Sequence, residues 1–315
     1  MTRPTFGSVL FVAAIALICM TAATGTSQEE TWYPSQWGPD DQRGAANRLT
    51  PQKVIEAKGQ ITDGKIYSLG RIYEAEMPLF GTRHFSLHLP QTFGPLGKNE
   101  VIWHDEIISG ELGQVGTQFD GLGHVGMSGR FYNGFTREEI ATPYGLAKLG
   151  VENVGPIVTR GVLIDMARYK GVERLEDSYE ITSSDIKGAL QKQGIEIHSG
   201  DVVLIHTGWG ELWSDHERFS ATAPGIGLEA GRFLIEQQVV LVGSDNSGVE
   251  VVPNPDPDLA YPVHQLLLTK NGIHLLENLV TSELASESVY EFAFFFSPVP
   301  FKGATGSPGN PIAIQ

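Results

Sequence analysis

Gln114-Val115-Gly116-Thr117-Gln118-Phe119-Asp120-Gly121-Leu122-Gly123-His124 is the stretch on which both fold and chemistry turn. Glycines at 113, 116, 121, 123, 126 and 129 crowd this region, and at about 1 kcal/mol each relative to alanine they disfavour a helix. Thr117 to Asp120 reads as a short strand opening into a turn. Alternate side chains of a strand share a face, so Gln114, Gly116, Gln118 and Asp120 point one way, and His124 arrives after the Gly-Leu-Gly turn. A carboxylate, an imidazole and two amide oxygens then converge, and the first two suit Zn²⁺ or Mn²⁺. Taken alone, an Asp and a His four residues apart are also the signature of a surface hydrogen-bonded pair.

A second cluster adds weight. His264 and Glu277 bracket two apolar runs joined by Asn271-Gly272. Asn-Gly is a strong turn signal, and it predicts a hairpin-like reversal that lets the two ends approach.

Working outward, Val9 to Met20 is an apolar run of 12 residues after Arg3, followed by small residues at Ala22, Ala23 and Gly25. This reads as a secretory signal over residues 1–25, too short for a membrane span, and predicts an exported protein, periplasmic or secreted. The chain's single cysteine, Cys19, lies inside that run, so a processed chain relies on core burial rather than disulfides. Residues 26–315 read as one domain. Thirty-seven acidic residues against 22 basic give a net charge of −15, which excludes nucleic acid as a natural partner. Trp32, Tyr33 and Trp37 need cover, either as an arm packed on its own chain or as one reaching a neighbouring subunit.

Thr50-Pro51 predicts a capped helix ending near Gly59, and Thr182 predicts another that stops at Gly194. Val158 to Met166, Val202 to His206, Val239 to Val242 and Phe292 to Phe296 read as buried strands. Strands and helices mix without strict alternation, and no Gly-x-Gly-x-x-Gly follows a strand, so a dinucleotide-binding fold is disfavoured.

The opening stretch resembles the motif His-x-Gly-Thr-His-x-Asp-x-Pro-x-His of the cyclase/kynurenine-formamidase-like metal-dependent hydrolases. Gly116, Thr117, Asp120 and His124 match; Gln114 and Gln118 replace the first two histidines, and Leu122 replaces the proline. His264 and Glu277 resemble the distal metal motif. Gly200-Asp201-Val202-Val203-Leu204-Ile205-His206-Thr207-Gly208-Trp209 and Lys302-Gly303-Ala304-Thr305-Gly306-Ser307-Pro308 resemble two further family segments, the segment from Trp32 to Thr50 is similar to the leader of the longer-chain branch, and the family resemblance as a whole runs from about Trp37 to the C-terminus.

The resemblance implies an α/β, swivelling β/α/β fold with a barrel-like β core, and a homodimer or homotetramer. It implies metal ligands Asp120, His124, His264 and Glu277, with a carbonyl oxygen from Gln118 or a role for it in orienting water, and one Zn or Mn per chain because the two histidines are lost. The implied chemistry is hydrolysis of an amide, formamide or lactone, with Glu277, His124 or His104 handling protons. Trp37, Phe119 and Trp209 are the expected pocket wall for a ring-shaped or aromatic small molecule. The competing expectations are an exported small-molecule-binding protein without turnover, and a metal-dependent cyclase or lyase.

Overall fold

Long runs of Val, Leu and Ile, bounded by glycine and charged residues, make the central strands, because strands covered on both faces need apolar side chains at every position. The computed structural model describes residues 1–2 and 31–315, so the signal segment expected over 1–25 lies almost wholly outside the described residues. Residues 32–315 form one unit.

Its main sheet has nine strands: β1 (Ile66–Ser68), β2 (Gln118–Asp120), β3 (Ile157–Asp165), β4 (Val202–His206), β5 (Leu241–Ser244), β6 (His274–Glu277), β7 (Glu291–Phe296), β8 (Gly306–Pro308) and β9 (Ile312–Ile314). Their order is β1-β9-β7-β3-β4-β5-β6-β2-β8. The middle four, β3 to β6, are parallel, and the flanking pairs are antiparallel. The absence of strict strand–helix alternation along the whole chain therefore hides a parallel centre with helical crossovers.

Helices α1 (Pro51–Lys58) and α2 (Ser183–Gln193) obey their capping signals, and α3 (Leu228–Glu236) joins α2 on the sheet. Val162, Ile164, Val203, Ile205, Val242 and Leu275 form one core with Ile186, Ala189 and Leu234 of α2 and α3. Leu163, Val202, Leu204, Leu241 and Leu276 point to the other face, against Phe119, Phe292 and Phe294. Adjacent residues thus enter opposite cores, as the two-residue period of a strand requires. Among the described residues no helix is long and apolar enough to cross a membrane.

The Thr182 cap of α2 is reciprocal: Thr182 Oγ1 accepts from the Asp185 backbone at 3.2 Å, and Asp185 Oδ2 accepts from the Thr182 backbone at 3.0 Å. Thr182 is exposed, so Thr182→Ala removes the cap with little core packing. It is expected to cost about 1 kcal/mol, read as a shift of the urea midpoint at unchanged slope.

One feature departs from expectation, and one open alternative is decided. Asn271-Gly272 does not join two strands: a short helix (Pro262–His264) runs into a π-type turn (Gln265–Lys270), and only the second apolar run is a strand, β6. A run such as Leu266-Leu267-Leu268 carries no period that separates a buried helix from a buried strand. Gly272 still makes the reversal, at φ +63° and pressed against Tyr132 and Gly44, where a side chain does not fit. The N-terminal arm packs on its own chain: Asn133 Nδ2 donates to the carbonyls of Gly38 and Asp41, and the Tyr132 hydroxyl donates to Asp41 at 2.6 Å.

Candidate metal centre

Strands β2 and β6 run antiparallel with Gln118 opposite Glu277 and Asp120 opposite Leu275. Opposed residues share a face, so Gln118, Asp120 and Glu277 all emerge on the helix-covered side. His264 comes to them from the short helix. Asp120, His264 and Glu277 are all buried, and each offers one ligand atom within 4.8 Å of the others. His264 Nε2 is 3.2 Å from Glu277 Oε1 and 3.6 Å from Asp120 Oδ2.

Glu250 sets the direction of that ring. It is 1% exposed, accepts from the backbone N–H groups of Val263 and His264 at 3.1 and 3.0 Å, and bonds His264 Nδ1. The Glu250 carboxylate accepts on this side, so Nδ1 carries a proton and Nε2 faces the two other carboxylates, where its lone pair is available once a cation displaces the proton there. A carboxylate behind a histidine in this way is the usual support of a metal-binding imidazole.

The donor set fits a divalent cation. Asp120 Oδ2 is buried without a hydrogen-bond partner among the described residues, an expensive state for a carboxylate oxygen unless a cation meets it. Two carboxylates and one imidazole offer the hard and borderline donors that such an ion takes. Without a cation, His264 carries the compensation. Burial opposes its charge, but Asp120, Glu250 and Glu277 outweigh burial and raise its pKa well above the ordinary value. Burial also pushes against ionised Asp120, yet His124 and His264 hold it below the usual range. Glu277 goes the other way, raised by burial and by the Asp120 charge.

His124 stands beside this cluster rather than within it, 3.9 Å from Asp120 Oδ2 and partly exposed on the pocket wall. Gln118 turns its amide nitrogen to Glu277 Oε2 at 2.7 Å, so it holds that carboxylate instead of offering its oxygen. Gln114 donates to Asp120 Oδ1 at 3.3 Å. The two glutamines thus anchor the carboxylates from the side where the motif has histidines.

The centre floors a cavity of about 230 Å³ whose wall includes Phe80, Arg83, Val125, Ser247 and Tyr261. The expected aromatic wall is corrected. Phe119 is fully buried between His274 and Phe296. Trp209 is fully buried, with its indole N–H on the Phe219 carbonyl at 3.3 Å. Trp37 lies against Arg48 and the helix-side core. Their apolar faces go to the interior, where most burial is available. His104 is likewise not at the centre: it is exposed on a hairpin strand (Val101–His104), with Nδ1 at 3.2 Å from the Thr92 hydroxyl. The sequence did carry a signal for Glu250, a lone carboxylate inside Val249-Glu250-Val251-Val252, since a charge within an apolar run must find a partner.

Glu250→Gln keeps the side-chain volume and removes the charge behind His264. It is expected to weaken divalent-metal affinity about 10- to 100-fold, measured by competition with a chelating dye.

The Cyclase family model matches residues 67–251. A solved structure described as a novel cyclase is 34% identical, with a TM-score of 0.80, covering 89% of this chain and 98% of that one. The chain belongs to the cyclase family, and its architecture is the family's β/α/β fold. Among curated proteins, the kynurenine formamidase of Bacillus cereus is 28% identical over 148 residues, which is 46% of this chain and 63% of that protein, so the match spans less than two thirds of the relative. Isatin hydrolase A from Ralstonia solanacearum shares the fold at a TM-score of 0.61 and 21% identity, covering 85% of this chain and 98% of that one.

Proposed function

We propose that this chain is a divalent-metal-dependent hydrolase that adds water across an amide, formamide or lactone bond of a small cyclic or aromatic molecule. The observation that carries the reading is the buried Asp120, His264 and Glu277 cluster, with His264 aimed by Glu250, beneath a pocket that a small ring can enter. Phe80 and Tyr261 supply the apolar contact that the interior tryptophans do not. The curated relative's name, a formamidase, and the isatin hydrolases of like fold support a C–N bond as the target.

Asp120, His264 and Glu277 would hold the ion, with His124 at its edge. When bound, Zn²⁺ or Mn²⁺ supplies Lewis acidity toward a carbonyl oxygen and lowers the pKa of water. Glu250 keeps the His264 lone pair inward, and Gln118 fixes the Glu277 carboxylate. His124, the partly exposed member, is the group to hand a proton to the departing nitrogen or oxygen. The bond to that atom breaks as a carbon–oxygen bond from water forms, so the acid product gains one oxygen and the leaving group one hydrogen.

The test is turnover of a panel of aryl formamides, cyclic amides and lactones in ¹⁸O-labelled water, with metal-loaded and chelator-treated protein. One labelled oxygen per product, only with metal, supports hydrolysis. An unlabelled product means elimination, and binding without turnover means a carrier.

We propose as well that the protein works outside the cytoplasm and self-associates. The hairpins at 85–110 expose Leu87, Ile102, Ile107 and Ile108, an apolar surface of the kind that a second copy would cover. Light scattering gives the oligomeric state.

A further inference from the structure

A second cavity, of about 270 Å³, opens beyond the C-terminal end of β4. Its wall includes Arg71, His206, Trp213, Thr281 and Ser282, and it shares no lining residue with the pocket over the metal centre. None of these side chains has a part in the proposed hydrolysis.

Arg71 and His206 both present nitrogen donors there. Arg71 lies over Trp213, its Cζ 4.7 Å from the ring centroid, and its Nη2 donates to the carbonyls of Gly210 and Leu279 at 2.8 and 3.3 Å. Its Nε is buried without a partner, and Nη1 donates to no described residue. Among the described residues no carboxylate lies within ion-pair distance of it. Arg71 thus lines the cavity as a guanidinium held at Nη2, with Nη1 left for a ligand and Asp245 near enough to act on its charge but outside ion-pair distance, a geometry suited to receiving an oxyanion.

His206 is the other group. It is 7% exposed, and its Nδ1 lies 2.7 Å from the Thr281 hydroxyl and 3.3 Å from Asp245 Oδ2. That leaves Nε2 without a described partner. Burial works against its charge, but Asp245 outweighs burial and raises its pKa above the ordinary value.

The acids at the cavity do not cancel this. Asp245 is 2% exposed and already accepts from the Thr207 backbone and hydroxyl and from the Gly208 backbone, besides His206. Glu211 is exposed at the rim, where water and salt screen it.

We propose that this cavity is a second ligand site, which takes a small molecule bearing an oxyanion, carboxylate or phosphate, on Arg71 and His206 with Thr281 and Ser282 as hydroxyl partners. The Trp213 ring, which lines the same cavity, offers apolar surface for the rest of the ligand.

The experiment is isothermal titration of metal-free full-length protein at constant ionic strength, with inorganic phosphate in one arm and benzoate in the other. Saturable binding of at least one is expected at roughly millimolar or tighter. Binding of phosphate alone identifies a phosphate ester as the ligand class, and binding of benzoate alone a carboxylic acid. Ser282→Glu alters an exposed wall residue at a helix start, where an acid is tolerated, and sets a like charge against the ligand. It should weaken binding at least about tenfold, as should Arg71→Met, while His264→Ala should leave it unchanged. The proposal fails if neither anion saturates by about 10 mM, if Ser282→Glu binds as wild type does, or if His264→Ala abolishes binding, since the anion would then sit at the metal centre.

Discussion

Glu277→Gln is expected to lower hydrolytic turnover by about a thousandfold or more, to abolish stoichiometric metal, and yet to make the metal-free protein melt at a higher temperature than wild type. The two effects have one cause. Glu277 is buried, and the neighbouring Asp120 charge adds to the penalty, so its carboxyl is raised above the ordinary value. A group with a raised carboxyl pKa loses stability as pH climbs from its unfolded value through its folded one. Glutamine has nothing to ionise, and its amide oxygen can still accept from Gln118. The wild type recovers when the cation arrives: ligand at a hundred times its dissociation constant stabilises by about 2.7 kcal/mol, and the variant gains none of this. Melting curves with excess chelator and with excess Zn²⁺ or Mn²⁺ should therefore cross. A metal-free variant less stable than metal-free wild type would mean that Glu277 is held by compensations other than those at the centre.

The same opposition explains what is legible in the chain and what is not. Asp120, His264 and Glu277 stand out because ionisable residues sit in glycine-rich or apolar surroundings that do not otherwise need them. The period of two in the opening stretch correctly gives Gln118 and Asp120 a common face, since β2 has nothing to do but alternate. Caps are legible for the same local reason: Thr50 and Thr182 act within four residues of themselves. Pocket walls are another matter. Phe119 and Trp209 lie in or beside motif residues, but position in a motif does not say which way a ring faces, and both rings go to the interior. Phe80, Arg83 and Tyr261 reach the pocket from distant segments through tertiary placement alone. The Asn271-Gly272 turn is correct as a turn, but its flanks follow helix packing that no short apolar run encodes.

His274 carries the second large effect, on stability rather than turnover. It sits in β6 fully buried, its ring 4.8 Å from that of Phe119, with Nδ1 3.2 Å from the Asp120 carbonyl and Nε2 3.3 Å from the Arg43 carbonyl. Burial lowers its pKa from 6.5 to about 4. The native ring therefore stays neutral where an unfolded chain would take up a proton. Between those two values the unfolded state binds more protons, so stability falls as pH falls; the contribution is whole above about pH 6.5 and is lost on the way down to about pH 4. At about 1.4 kcal/mol per unit, the span is worth roughly 3 kcal/mol. His206 and His264, with raised values, act in the opposite sense, favouring the fold below the ordinary histidine pKa and losing that benefit as pH rises through their folded values. The His274 contribution must therefore be isolated by subtraction. Urea midpoints of wild type and His274→Gln, in chelator, at steps from pH 7.5 to pH 4.5, give the difference. Wild type should lose stability on acidification more steeply than the variant by most of that amount. Parallel curves would mean that the protonated ring is accommodated between its two carbonyl acceptors, and that the contact of β6 with Arg43 and Asp120 tolerates a charge which burial here is argued to exclude.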